Sequence, residues 1–292
     1  MENLNGIIVI NKPKEYTSHD VVAKVKKILS IKKVGHTGTL DPNATGVLPL
    51  LLNDGTKLSK YLINHDKEYR VTLKLGIKTD TADGEGNIIE TKNVNFEKLK
   101  PIEETLKSFI GKQKQIPPMY SAIKVKGKKL YEYAREGKNV EIEPRNIEIY
   151  DMNVETINEK ENIIEFVVSC SKGTYIRSLC EDIATRLGTI GYMKELERTK
   201  VGDFTLNQSI TIEELENRPE IVMEKIITIE ELLKNNPKII LEDKRIKLFL
   251  NGVNIKVNEN DGIYQIYDKN NKYIGTGIVK DKKIKRDIIL KN

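Results

Sequence analysis

The sequence is poor in the residue types that build metal sites and disulfide scaffolds. Its 292 residues include two cysteines, three histidines and no tryptophan. Cys170 and Cys180 lack the close paired spacing of a zinc site, and two cysteines cannot form a disulfide framework. We therefore expect no bound metal and no fold that depends on disulfide bonds.

Long hydrophobic runs are absent as well. The longest apolar segment, residues 47–52, includes Pro49 and is far shorter than the roughly 20 residues of a membrane-spanning helix. The sequence starts Met-Glu-Asn-Leu-Asn-Gly, without the basic and apolar leader of a secreted protein. These absences favour a cytoplasmic protein that does not enter a membrane.

Positive charge is present and concentrated in one segment. The chain has 49 Lys and Arg against 43 Asp and Glu, and residues 112–138 alone carry a net charge of +6. The same segment contains Tyr120, Tyr131 and Tyr133. Cations for phosphates and rings for bases are typical of contacts with looped or single-stranded RNA. Composition alone fits an exposed basic loop with core tyrosines equally well.

Hydrophobic periodicity predicts a mixture of strands and helices. Strands are predicted at residues 7–10, 47–52, 68–75 and 163–170, and helices from Thr17 or Ser18, from Pro101 and over residues 179–187. From residue 238 the chain changes to short β-like pieces separated by glycine turns, and Asn235-Asn236-Pro237 is typical of a linker. We predict a large mixed α/β domain of residues 1–236 and a small β-rich domain of residues 237–292.

The loop at residues 34–49 has the most unusual composition, with three glycines, two prolines, His36 and Asp41. Its glycines match neither a dinucleotide-binding fingerprint nor a P-loop. An Asp before a Pro is ordinarily a turn or cap residue, and a loop histidine ordinarily bonds to backbone. The local pattern alone therefore assigns neither residue to catalysis.

Two shorter segments leave alternatives open. Residues 80–86 lack the alternating carboxylates and the twelfth-position Glu of a calcium loop, so we interpret them as a tight turn. If residues 172–177 are extended, Tyr175 and Arg177 share one face, suited to a nucleotide or to pairing a buried carboxylate. An exposed edge with Arg177 in solvent fits the pattern equally well.

Four long motifs, in this order, resemble the TruB family of tRNA pseudouridine synthases: GHTGTLDPNATGVLP, KEYRVTLKLGIKTDTADGEG, QIPPMYSAIKVKGKKLYEYAREG and SKGTYIRSL. The opening GIIVINKPKEYTSHDVV is also similar, and the resemblance covers about the first 200 residues. It implies an α+β fold with a mixed, mainly antiparallel sheet, flanking helices and an RNA-clamping basic insertion at about residues 112–138. Because of its position in the chain and its β-rich sequence pattern, the tail from about Pro237 resembles the small PUA RNA-binding domain.

The resemblance also implies a reaction: isomerisation of a T-loop uridine of tRNA to pseudouridine, without cofactor or metal. Asp41 matches the family's catalytic carboxylate, which attacks C1′, attacks C6 or deprotonates C2′. Arg177 matches its partner, expected to lower the carboxylate pKa and fix its orientation. Tyr69 matches the tyrosine that stacks on the target base and is a candidate acceptor for the C5 proton.

Other positions match residues that contact the substrate. His36 matches the residue that lies against the T-loop when the uridine is flipped out, and Tyr175 and Leu196 match residues lining the pocket. Lys12 and Pro13 match a motif that supports the active-site loop, and we place them outside the catalytic set. The resemblance favours RNA contact for the basic segment and implies a monomer that acts on tRNA without a protein partner.

Two other functional classes compete with this interpretation. One is a non-catalytic tRNA-binding or tRNA-folding protein, which would not need Asp41. The other, a distant third, is a glycoside hydrolase, which would need a second carboxylate about 5 to 9 Å from the first.

Overall fold

The computed structural model describes residues 4–138 and 140–290. The first three residues, part of the N-terminal sequence behind the cytoplasmic expectation, lie outside the described residues. The strands are β1 (Gly6–Lys12), β2 (Val34–His36), β3 (Thr45–Leu52), β4 (Lys67–Leu75), β5 (Ile77–Thr79), β6 (Ile88–Thr91), β7 (Gly111–Gln115), β8 (Lys124–Val125), β9 (Lys128–Lys129), β10 (Arg145–Asn158), β11 (Ile163–Cys170), β12 (Gly191–Val201), β13 (Phe204–Thr205), β14 (Ile227–Thr228), β15 (Lys238–Leu241), β16 (Ile255–Lys256), β17 (Gly262–Asp268), β18 (Tyr273–Lys280) and β19 (Lys283–Ile289).

Helices flank these strands. They are α1 (Ser18–Ile28), α2 (Ser59–Leu62), α3 (Ile102–Lys107), α4 (Leu130–Arg135), α5 (Ile176–Leu187), α6 (Ile212–Asn217), α7 (Ile221–Lys225), α8 (Ile229–Leu232) and α9 (Asp243–Leu250), with 3₁₀ turns at Asn53–Leu58, Phe96–Lys98 and Leu206–Gln208. Within the described part of the chain, we find no helix long and apolar enough to cross a membrane.

One large sheet forms the frame of the molecule. Its strand order is β14-β1-β3-β12-β4-β11-β10-β7, with β13 paired to β12 and β2 paired to β3. The pairs are antiparallel apart from β3 and β12, which are parallel through Thr45 opposite Glu197 and Gly46 opposite Arg198. The predicted mixed, mainly antiparallel sheet is confirmed.

Alternation along the strands decides which face is buried. On β4, Tyr69, Val71, Leu73 and Leu75 all lie in the core beneath α3 and α5. On the other side of the molecule, the apolar stripe of α1 packs against β1 and β3. Helix α1 begins where the sequence predicts, because Thr17 and Asp20 form a reciprocal capping box.

Residues 172–177 are not extended, so the interpretation that Tyr175 and Arg177 share a strand face is wrong. The side chain of Gln115 on β7 binds both backbone groups of Tyr175, at 2.8 and 3.0 Å. Helix α5 starts directly after Tyr175 and places Arg177 in its first turn. This start depends on a residue 60 positions away, which a local pattern does not contain.

The helix predicted from Pro101 is short. It ends at Lys107, and Ile110 beyond it is exposed. Residues 212–225 are divided between α6 and α7, on either side of Pro219, because proline cannot continue a helix.

The C-terminal residues form a separate five-stranded sheet, in the order β15-β17-β18-β19-β16, around a small core that includes Phe249 of α9. On its last strand, Ile288 belongs to one apolar cluster with Leu58, Leu62 and residues of β1 and β3.

Candidate active site

A pocket of about 710 Å³ opens beside the ends of β4 and β12. It collects residues from eight separate parts of the chain: the loop at 37–41, Ile63, β4, the segment 120–122, Tyr131, residues 145–146, the turn at 172–177 and β12. Five residues that the sequence predicts for the site line it: Asp41, Tyr69, Tyr175, Arg177 and Leu196. The sixth, His36, precedes the loop at the end of β2.

The carboxylate of Asp41 is held by a two-point contact with Arg177. The distance from Arg177 Nε to Asp41 Oδ2 is 3.1 Å, and Nη2 donates to Oδ1 at 3.3 Å. Arg177 is buried, whereas the Asp41 side chain is 39% exposed toward the cavity. A fork of this kind fixes the carboxylate plane as well as its position.

Arg177 is also bound to a second carboxylate that the sequence interpretation missed. Asp83 Oδ2 lies 3.4 Å from Arg177 Nη1, and Asp83 Oδ1 accepts hydrogen bonds from Thr81 and from the backbone N–H of Glu85. Asp83 lines a smaller neighbouring cavity and is absent from the lining of the main pocket. The turn predicted at residues 80–86 therefore binds Arg177 through Asp83 without lining the main pocket.

The pKa of Asp41 is above that of an ordinary aspartate. Burial is the main cause, and the nearby charge of Asp83 adds to it. Arg177 and Lys12 act in the opposite direction, as expected for Arg177, but they do not outweigh burial. The expected lowering of the Asp41 pKa by Arg177 is thus reversed in the net shift.

Tyr69 is 8% exposed and lies in the pocket wall. It occupies the same side of the sheet as Leu196, and the two residues belong to one apolar cluster. Burial raises the pKa of Tyr69 to about 12, although the neighbouring Arg198 lowers it. The phenol is therefore neutral near pH 7.

The loop that carries Asp41 is anchored on both sides. Ser18, at the start of α1, accepts from the N–H of Leu40 at 2.9 Å. The fully buried ammonium of Lys12 donates to the carbonyl groups of Pro13, Tyr16 and Pro42. Burial lowers the pKa of Lys12 to about 8. Lys12 thus holds the residue after Asp41 in place, in agreement with its expected supporting position.

His36 stands outside the pocket, edge-on to His19 with 5.6 Å between the ring centroids. Burial and the charges of His19 and Arg198 lower its pKa, so the ring is neutral near pH 7. A neutral, half-buried ring next to Thr37, which lines the pocket, is suited to packing against a base.

The basic segment contributes two tyrosines to the pocket, Tyr120 and Tyr131. Its cations also stack on its own rings: Lys129 and Arg135 lie over Tyr131, and Lys128 lies over Tyr133. The first residues of the segment belong to β7 of the large sheet, so the part that projects from the sheet starts after Gln115.

Three family models match successive parts of the chain. The model described as TruB family pseudouridylate synthase (N terminal domain) matches residues 26–176. Models described as tRNA pseudouridylate synthase B C-terminal domain and as pseudouridine synthase II TruB, C-terminal, match residues 177–235 and 237–285.

Relatives match over nearly the whole chain. The tRNA pseudouridine synthase B of Clostridium kluyveri is 44% identical over 284 residues, which cover 95% of this chain and 96% of the relative. That of Alkaliphilus oremlandii is 49% identical over 255 residues, covering 87% and 84%.

Two solved structures share the fold. A chain in the crystal structure of a Cbf5–Nop10–Gar1 complex has a TM-score of 0.69 at 26% identity, covering all of this chain and 85% of that one. A chain of an H/ACA RNP bound to a substrate RNA has a TM-score of 0.70 at 24% identity, with coverages of 99% and 86%. Since the family model covers more than half of the sequence and the relatives extend the match over nearly all of it, the chain belongs to the TruB family of pseudouridylate synthases.

Proposed function

We propose that this chain is a tRNA pseudouridine synthase that isomerises the T-loop uridine at position 55, with Asp41 as its catalytic carboxylate. The observation that carries the proposal is the two-point contact between Arg177 and Asp41 at the wall of a pocket that Tyr69 also lines. The reaction breaks the bond from ribose C1′ to N1 of the base and forms a bond from C1′ to C5, while C5 loses its proton to solvent and N1 takes up a proton.

Asp41 has the properties that each route through a carboxylate requires. Whether it attacks C1′, attacks C6 or removes the C2′ proton, the ionised form must be present and correctly oriented. Arg177 orients it, while burial removes part of the water that would otherwise solvate the charge. A carboxylate with a raised pKa is also a stronger base once it is ionised.

Tyr69 supplies a ring on which the flipped uracil stacks. A phenol with a pKa of about 12 is protonated at neutral pH, and a protonated phenol accepts a further proton only if it gives up its own. We therefore assign Tyr69 to stacking and to hydrogen-bond donation. Leu196, from the neighbouring strand, packs in the same cluster, and Tyr175 closes another wall.

The remaining expected contacts complete the substrate site. His36 would fill the space that the uridine leaves in the T-loop, and the basic segment would cover the T-arm. The protein would act as a monomer in the cytoplasm, with residues 237–292 as a PUA-like RNA-binding domain. RNA would be recognised mainly through shape and backbone contacts.

The test is tritium release from a T-arm transcript labelled at uridine C5, with wild type, Asp41→Asn and Asp203→Asn compared at equal tRNA occupancy. Asp203 is exposed and outside the pocket, so it is the matched control. We expect release by wild type and Asp203→Asn, and none above background by Asp41→Asn.

A different pattern would point to the competing class. If wild type binds the transcript but releases no tritium, or if Asp41→Asn releases it as fast as wild type, the proposed catalytic role of Asp41 is wrong. Binding without release by wild type would favour a non-catalytic tRNA-binding or tRNA-folding protein.

A further inference from the structure

Arg198 is a buried cation to which the roles above assign no function. It is 1% exposed, and among residues 4–138 and 140–290 no carboxylate lies within ion-pair distance of it. Its acceptors are backbone carbonyl groups: Val47 at 2.8 Å, Gly38 at 3.2 Å and Thr39 at 3.5 Å. Burial of a guanidinium without a carboxylate is costly compared with an apolar residue of the same size.

The position of Arg198 in the sheet explains its reach. On β12 it lies directly opposite Tyr69 of β4 and, on its other side, opposite Gly46 of β3. Across this pair, the positive charge of the guanidinium acts on the Tyr69 hydroxyl and lowers its pKa. One residue therefore lies beside the ring of the pocket wall and binds the loop that leads into Asp41.

The charge of Arg198 fixes the direction of the Tyr69 hydroxyl. A guanidinium only donates, so the Tyr69 oxygen turns its lone pairs toward Arg198. The Tyr69 hydroxyl hydrogen must then point elsewhere, and Tyr69 lines the pocket. A uracil presents carbonyl oxygens that accept such a hydrogen bond.

We propose that Arg198 is a positioning residue for the reaction: it holds the Tyr69 ring and the Asp41 loop in one fixed relation, and it leaves the Tyr69 hydroxyl as a donor to a carbonyl oxygen of the target base. This inference rests on the proposed function. It predicts an effect on the chemical step that is larger than any effect on tRNA binding.

The first measurement is the single-turnover rate constant at saturating tRNA, together with the Kd for tRNA, for Arg198→Gln and Arg198→Lys. Arg70→Gln is the matched control, because Arg70 lies on β4 of the same sheet but pairs with Glu155 and Glu197 outside the pocket. We expect Arg198→Gln to lower the rate constant at least 30-fold with a Kd within threefold of wild type. Arg198→Lys keeps the charge but not the fork, and should recover part of the rate.

A double-mutant cycle with Tyr69→Phe separates positioning from general loss of structure. If Arg198 acts partly through the Tyr69 hydroxyl, Arg198→Gln must cost at least fivefold less in the Tyr69→Phe protein than in wild type. The proposal would be overturned if the two substitutions lowered the rate constant by independent factors. It would also be overturned if folded Arg198→Gln had a rate constant within threefold of wild type. If Arg198→Gln does not fold, Arg198→Lys takes its place in the cycle.

Hydrogen exchange keeps this proposal separate from the proposed function. We expect the amide of Leu40 to exchange at least tenfold faster in Arg198→Lys than in Arg70→Gln, and unchanged exchange would contradict the loop contact. A wild-type protein that releases no tritium would refute the proposed function, whereas the exchange result would still decide whether Arg198 holds the loop.

Discussion

Arg177 is shared between two carboxylates, and this sharing decides the charge state of the site. Asp41 and Asp83 both lie within ion-pair distance of the one guanidinium. The charge of Asp83 raises the proton affinity of Asp41, and the cation between them opposes that effect. A change at Asp83 should therefore be felt at Asp41 without any direct contact with the substrate.

Replacement of Asp83 by Asn tests this coupling through the pH profile. Activity requires ionised Asp41 and is lost as the pH falls through its raised pKa. Because the charge of Asp83 helps to raise that pKa, its removal should lower the Asp41 pKa and move the acidic limb of the rate profile to lower pH. We also expect the maximal single-turnover rate to fall about tenfold or more, since Arg177 loses one of its anchors.

The matched control for this profile is Asp80→Asn. Asp80 belongs to the same turn but binds Asn87 and has no contact with Arg177. Its acidic limb should coincide with that of wild type. An acidic limb of Asp83→Asn that stays in place, or that moves to higher pH, would show that Asp83 does not act on Asp41.

The residues that the sequence missed share one property, namely that their role depends on tertiary contacts. Asp41, Tyr69 and Arg177 are predicted because each lies in a long motif that resembles a known family. Asp83 lies in a similar motif, but its local pattern indicates only a turn, and its contact with Arg177 spans nearly 100 positions. The sequence around Arg198 is typical of a strand with charged residues in solvent. Only the pairing of β12 with β4 and β3 shows that Arg198 is buried.

At the scale of elements, the parallel contact between β3 and β12 fixes the position of the loop that carries Asp41, because β3 directly follows that loop. Gly46 lies in this contact with φ of +104°, a conformation that L-residues other than glycine rarely adopt. A methyl group on Gly46 would overlap the backbone of Arg198. The two strands approach so closely only because this position has no side chain.

Gly46→Ala should therefore be costly in two ways. We expect a loss of more than about 2 kcal/mol in the free energy of unfolding, from the unfavourable φ together with the backbone overlap. Urea unfolding of the two proteins measures this difference.

Gly173→Ala separates the two contributions. Gly173 also has a positive φ, of +81°, but a Cβ there meets open space. Its replacement should cost about 1 kcal/mol, the conformational part alone. Equal losses at the two glycines would contradict the close approach of β3 and β12.

Predicted and observed elements agree best where the hydrophobic pattern is long. The alternation of β4 and the amphipathic stripe of α1 are present in the structure as the sequence predicts. The start of α5 is not, because Gln115 imposes the conformation of Tyr175 from another strand. The local hydrophobic pattern thus predicts the main strands and helices. The conformations of the turns that carry the site residues depend on contacts between elements.

At the scale of the whole molecule, Asp287 joins the C-terminal sheet to α2, which packs against β1 and β3 of the large sheet. Its side chain is 5% exposed and accepts from Tyr61 at 2.5 Å and from Thr276 at 3.0 Å, and it pairs with Lys60. The neighbouring contact of Tyr267 with Glu230, at 2.8 Å, adds a second polar link. These contacts indicate that the two sheets unfold together.

Asp287→Ala should weaken that coupling. Tyr61 and Thr276 would lose a buried acceptor, so we expect a loss of about 2 kcal/mol in the free energy of unfolding. The urea transition should broaden or separate into two steps, with residues 238–290 losing hydrogen-exchange protection first.

The control is Asp243→Ala, which removes an exposed ion pair with Lys269 within the C-terminal part. Exposed pairs contribute little, so the expected change is about 0.5 kcal/mol with a single transition. A single unchanged transition in Asp287→Ala would show that the sheets are held together by their apolar contacts alone.

The charge distribution predicts how the whole molecule responds to salt when it binds tRNA. Lys124 and Lys126 of the basic segment are exposed, and in the described part of the chain neither makes an ion pair, whereas Lys128 and Lys138 are paired with Glu136. Cations without a protein partner are the ones that displace counterions from phosphates.

Affinity for tRNA should fall as salt rises, and the Lys124→Gln, Lys126→Gln double variant should reduce the slope of log Kd against log salt by about 1.4 to 1.8. The double variant Lys98→Gln, Lys100→Gln removes equal charge from exposed positions outside the pocket, so its slope should match wild type. Equal slopes for all three proteins, or an affinity that does not depend on salt, would mean that the basic segment does not contact the RNA backbone and that its net charge serves another surface.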